Sequence, residues 1–183
     1  MNSIAYKKKQ ENIAEYLLYM WQMEDLIRAC NFEIDTIEVS VLSQIENEGE
    51  RDSSKKWFLQ LINQMKLSKL LKVGHVEEVN EVLTELYYLH TTLINVLKDP
   101  EYIKLYSNVL PNLRQYQTIS DSLTINEIEI CLTAIYGVLI LRLKKAAVSE
   151  ATKSATDTFT RMLAYLSSSY IKMKNGELNF QLN

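Results

Sequence analysis

The residues of this chain best suited to chemistry crowd into one stretch, IAEYLLYMWQMEDLIRACNF from Ile13 to Phe32, where Gln22, Glu24, Asp25 and Arg28 lie close to Tyr16 and Tyr19. At ~100° per residue, Leu26, Tyr19, Cys30, Met23, Tyr16, Ile27, Met20, Ile13 and Leu17 share one continuous apolar arc. That arc is wider than the stripe a surface helix buries, which predicts an inner helix. Glu24 falls inside the arc, between Met20 and Leu17. A carboxylate so placed must be paired, protonated or functional, because burying a lone charge costs several kcal/mol or more. Arg28 stands one turn away, spaced to bridge both Glu24 and Asp25. One reading is a partly buried salt-bridge cluster that fixes helix register. The other is a polar ligand-binding pocket built from Glu24, Asp25, Arg28, Gln22 and Tyr19, with Glu24 as acid, base or anchor for a ligand cation. The spacing assigns no residue a catalytic role.

Other chemistries lack their residues. Di-metal bundles need Glu-x-x-His on two helices, and neither histidine has it: His75 follows Gly74 at a helix junction, and His90 flanks an apolar seam with Glu85 on a different face. Both read as structural or partly exposed histidines. There is no Cys-x-x-Cys or His-x-x-x-His pair for zinc, no glycine-rich phosphate loop and no nucleophile elbow. Cys30 and Cys131 sit in apolar helical stretches and read as small core residues. We therefore expect no metal, no cofactor and a non-enzymatic role.

Composition points the same way. A chain of 183 residues, 47% hydrophobic and 23% charged, reads as a single domain over 1–183, able to bury roughly 70% of its unfolded surface. A net charge of −3 argues against nucleic acid, which calls for basic residues gathered on one face. Lys7-Lys8-Lys9 reads as a solvated helical turn. The N-terminal stretch fails as a signal peptide. The apolar run from Ile130 to Leu141 falls short of the ~20 residues that span a bilayer. These features place the protein in the cytoplasm, away from membranes.

Only four glycines and two prolines interrupt the chain, which favours long elements, and the pattern gives an all-α bundle of about seven helices with the first and sixth innermost. The first runs from Ser3 to Cys30 with Asn31 as a left-handed cap. A second starts near Asp35 and stops at Gly49, and Gly49 to Ser54 reads as a loop. Asp52 or Ser53 caps a third that continues to Val73. The fourth, Val76 to Leu97, carries the seam Val79, Val82, Leu86, Leu89, Leu93 and Val96. Asp99-Pro100 opens a fifth, with a kink or break expected at Pro111. Thr124-Ile125-Asn126-Glu127 forms a capping box for the sixth, with Leu123 and Ile128 as its hydrophobic staple. That helix runs to Ala147, and Gly137 inside it suggests a close helix crossing. Ser149 caps the last, which ends before Gly176.

The 11 tyrosines, among them Tyr87, Tyr88, Tyr102, Tyr106 and Tyr116, read as boundary residues with packed rings and wet hydroxyls. The fifth helix alternatively offers a homo-oligomer interface. The runs IAYKKKQENIAEYLLYMWQMEDLIRACNF, AIYGVLILRLKKAAVSEAT and LAYLSSSYIKMKNGEL resemble a family of uncharacterised bacterial proteins of about this length, known only as a domain of unknown function. The resemblance covers most of the chain and implies a compact helical protein with no activity or ligand to carry over. The leading expectation is a structural or protein-interaction module that self-associates. The runner-up is a small-molecule binder or enzyme at the first-helix cluster, its ligand unknown.

Overall fold

The structure, a computed structural model, describes residues 2–119 and 126–178. Every regular element among the described residues is helical: α1 Ser3–Glu11, α2 Ile13–Ala29, α3 Ile34–Ser40, a 3-10 turn Leu42–Gln44, α4 Glu48–Leu67, α5 Glu77–Asn95, α6 Pro100–Ile119, α7 Glu127–Leu143 and α8 Glu150–Lys174. The all-α class stands, with eight α-helices among the described residues in place of about seven. The extra one comes from a break at Asn12, a residue type whose side chain competes with helical backbone bonds. Just past the break, the Ala14 N–H donates to Ser167 Oγ at 3.3 Å, so a residue far along the chain caps α2.

Local capping moves several expected boundaries. Asn47, not Asp52 or Ser53, caps α4 by accepting the Glu50 N–H at 3.0 Å. The stretch read as a loop from Gly49 is therefore helix, with Glu48 and Glu50 at the positive end of its dipole. α3 stops at Ser40, where the Ser40 hydroxyl donates to the Thr36 carbonyl, and such side-chain bonds compete with helix propagation. α4 ends at Leu67 rather than Val73.

Other cues are met. Asn31 takes a left-handed φ of 51°, although Phe32 shares it at 62°. Asp99 caps α6 by accepting the Tyr102 N–H at 2.9 Å, and Ser149 caps α8. Pro111 lies inside α6, which continues to Ile119. α7 is capped by Asn126, which accepts the Glu129 N–H. Leu123, Thr124 and Ile125 of the expected box and staple lie outside the described residues. Gly137 is no crossing point, because a Cβ placed there would meet nothing within 4 Å.

Backbone contacts divide the chain into two compact units. The first takes Met1–Glu11 and Glu15–Glu81, the second Asn12–Ala14 and Val82–Asn183. In the first, α3 and the 3-10 turn pack on α4, and Tyr16, Leu17, Met20, Ile27, Phe58, Leu61 and Met65 are buried. In the second, α8 packs against α6 and α7, burying Phe159, Met162 and Leu166 along with Leu86, Leu93, Val109 and Leu132. Each such side chain contributes about 1.5–3 kcal/mol. No helix of the described residues is long and apolar enough to cross a membrane.

Candidate functional site

Glu24 lies where the helical arc put it, with 0% exposure. Its Oε2 is 2.5 Å from His75 Nδ1, and its Oε1 accepts the Val76 N–H at 2.9 Å. With Nδ1 engaged by Glu24, Nε2 is the ring's remaining polar atom. The His75 ring stacks on Trp21, with centroids 4.6 Å apart and planes 11° from parallel. Val76 directly precedes α5. Glu24 thus caps α5 from another helix, placing negative charge at its N-terminus.

Arg28 does not pair with Glu24 as expected. Its Nη1 bonds Asp25 Oδ1 at 2.8 Å, its Nε donates to the Leu70 carbonyl at 3.3 Å, and its Nη2 donates to the Gly74 carbonyl. Both Glu24 oxygens already have partners from the connection between α4 and α5, and two carbonyls of that same connection take the guanidinium. The polar residues of α2 therefore form a clamp on the segment from Leu70 to Val76. Gly74 sits in it at φ 93°, where a Cβ would also come 3.0 Å from Leu70 Cδ2, so glycine suits the turn on both counts.

The other nominated residues go elsewhere. The Tyr19 hydroxyl accepts from Asn2 Nδ2 at 2.8 Å, and burial pushes its pKa up, against the Asn2 bond that lowers it. Gln22 is half-buried. Of the five candidates, the structure joins Asp25 to Arg28 directly and unites Glu24 with Arg28 only through the clamped segment.

A second cluster, in the other unit, escaped the sequence reading. His90 on α5 bonds Tyr102 Oη through Nδ1 at 2.7 Å and Glu127 Oε2 through Nε2 at 3.2 Å. The Tyr106 hydroxyl donates to the same Glu127 oxygen at 2.7 Å. Both tyrosine rings meet the imidazole edge-on, with centroids 5.6 and 5.0 Å away. The His90 bond chiefly, then the Tyr106 bond, holds Glu127 below the usual carboxylate range against the opposing effect of burial. Burial raises the Tyr102 and Tyr106 hydroxyls well above theirs, as it does the Cys131 thiol.

Wet hydroxyls were expected for the tyrosines, yet Tyr106 bonds a carboxylate, as do Tyr165 with Asp99 and Tyr170 with Glu85. One cue to His90 was present: it stands one turn from Leu86 and from Leu93, on the apolar side of α5. Nothing local linked it to Glu127. Among the described residues no three of His, Cys, Asp and Glu gather to hold a metal ion.

The model of a protein family described as Domain of unknown function (DUF4924) matches residues 2–177. The chain belongs to that family. No curated protein and no solved structure matches it.

Proposed function

We propose, from a family membership that carries no activity, that this protein is a non-enzymatic interaction module of the cytoplasm that pairs with a second copy of itself. The observation carrying this reading is the clamped connection between α4 and α5. From inside, Glu24 and Arg28 hold its backbone; outside, Leu67, Leu71 and Val73 are each more than half exposed. Apolar residues scattered singly on a surface are ordinary, but Leu67 at the end of α4 with Leu71 and Val73 on the anchored connection that follows it make the kind of cluster that marks an interface. Anchoring also removes part of the ordering cost that a loose loop meets on docking. Two free, buried cysteines support a reducing compartment.

Light scattering coupled to size-exclusion chromatography tests the reading. A mass that rises from monomer to dimer with concentration supports it, and a constant monomer up to the solubility limit overturns it.

A second reading, a small-molecule site, rests on His75. Its side chain is 23% exposed while Glu24 fixes Nδ1, the relation of a base to the group that orients it. Ring-proton shifts of His75 on adding small phosphates and carboxylates would favour this reading, and unmoved signals would remove it.

A further inference from the structure

The connection between α4 and α5 lies beside a groove of about 330 Å³ whose walls include Gln64 and Leu67 on one side and Glu77, Glu78 and Glu81 on the other. Gln64 and Glu78 also line a neighbouring groove of about 160 Å³ that reaches Trp57, so the depression extends along α4. Glu78 is paired with Lys9 at 2.7 Å. Glu77 and Glu81 have no ion-pair partner among the described residues, and neither do Lys69 and Lys72, which flank exposed Leu71 on the connection. The dipole of α5 accounts for acids in its first turn, Glu77 and Glu78. It does not account for Glu81 a turn later, where a like charge four residues from Glu77 is unfavourable on a helix surface.

A basic apolar ridge beside an acidic groove is self-complementary. In a two-fold dimer the same patch meets itself, residue i of one copy facing residue j of the other and the reverse. Two copies can then place ridge on groove twice, each time with opposite charges facing and apolar side chains covered. Resting on the self-association proposed above, we propose that the partner surface is this one: the α4–α5 connection of each copy enters the groove of the other, with Lys69 and Lys72 against Glu77 and Glu81. The bound partner is a second copy of this chain. Charge sets its register and speeds the encounter, while burial of Leu67, Leu71 and Val73 supplies the apolar centre.

Two double variants test it without touching Glu24, His75 or Arg28. Glu77→Lys with Glu81→Lys makes ridge and groove both basic; Lys69→Glu with Lys72→Glu makes both acidic. Light scattering should find each variant alone shifted toward monomer, its dissociation constant raised roughly tenfold or more, with circular dichroism confirming wild-type helicity. An equimolar mixture should recover a heterodimer, because each ridge again faces a groove of opposite sign. Variants that remain as dimeric as wild type, or a mixture that stays monomeric, overturn this surface and leave self-association through another face standing. A wild type that is monomeric at every concentration removes both, including when it sediments with phosphatidylserine vesicles, an outcome that would give the ridge to a membrane instead.

Discussion

The two histidine–carboxylate pairs are built in opposite senses. In the first unit the anion is deep and the imidazole reaches the edge, with side-chain exposures of 0% for Glu24 and 23% for His75. In the second unit the imidazole is deep and the anion reaches the edge, 3% for His90 and 30% for Glu127. The buried member decides what each pair needs. A buried carboxylate must keep a donor on each oxygen, or it carries an uncompensated charge. A buried imidazole that loses its carboxylate still has Tyr102 bonded to its other nitrogen. The first pair therefore holds backbone in place, whereas the second ties together side chains of α5, α6 and α7.

Breaking each pair at its exposed member sharpens that contrast. His75→Ala should have the largest effect, destabilising by about 3 kcal/mol in urea unfolding, because Glu24 keeps only the Val76 bond; a loss within error of zero would mean that water already serves the carboxylate. Next comes the alkaline limb. Burial raises the hydroxyls of Tyr102 and Tyr106, and pushes Tyr165 up to about 12. Groups raised on folding stabilise fully below their ordinary value of 10.0 and lose that contribution as pH climbs past it. Tyrosinate absorbance of these residues should accordingly appear only together with loss of helicity; early, reversible ionisation in folded protein would contradict the packing.

Glu127→Gln should cost less, about 1 kcal/mol at neutral pH. Because folding lowers the Glu127 pKa, its stabilisation is present above the ordinary value of 4.5 and disappears as pH falls through the lower folded value. The variant should flatten that acid limb of the stability curve, and an unchanged acid limb would show that His90 does not hold the charge. The smallest effect should come from Gly137→Ala, which fills open space on a helix and should raise stability by up to about 1 kcal/mol. It provides a gauge for the second unit, since it touches neither pair. A decrease would mean that α7 is more crowded at that turn than its geometry shows.

What was legible in the sequence was angular. The position of Glu24 within an apolar arc is fixed by helical periodicity alone, and so is the all-α class. The partner was not legible, because nearness along the chain proposed Arg28 while folding delivered His75 and Val76 from beyond α4. The same blindness hid Glu127 from His90. Boundaries failed where one cap competed with another, as at Asn47 against Asp52. The break at Asn12 failed differently, since its cap, Ser167, comes from the far end of the chain.

Each compact unit holds one cysteine, Cys30 in the first and Cys131 in the second, both free and shielded from solvent. An alkylating reagent can reach either sulfur only when its surroundings open. The rate of mass gain at each position therefore times the opening of its own half of the chain, and the native sequence carries two separate clocks without an engineered label.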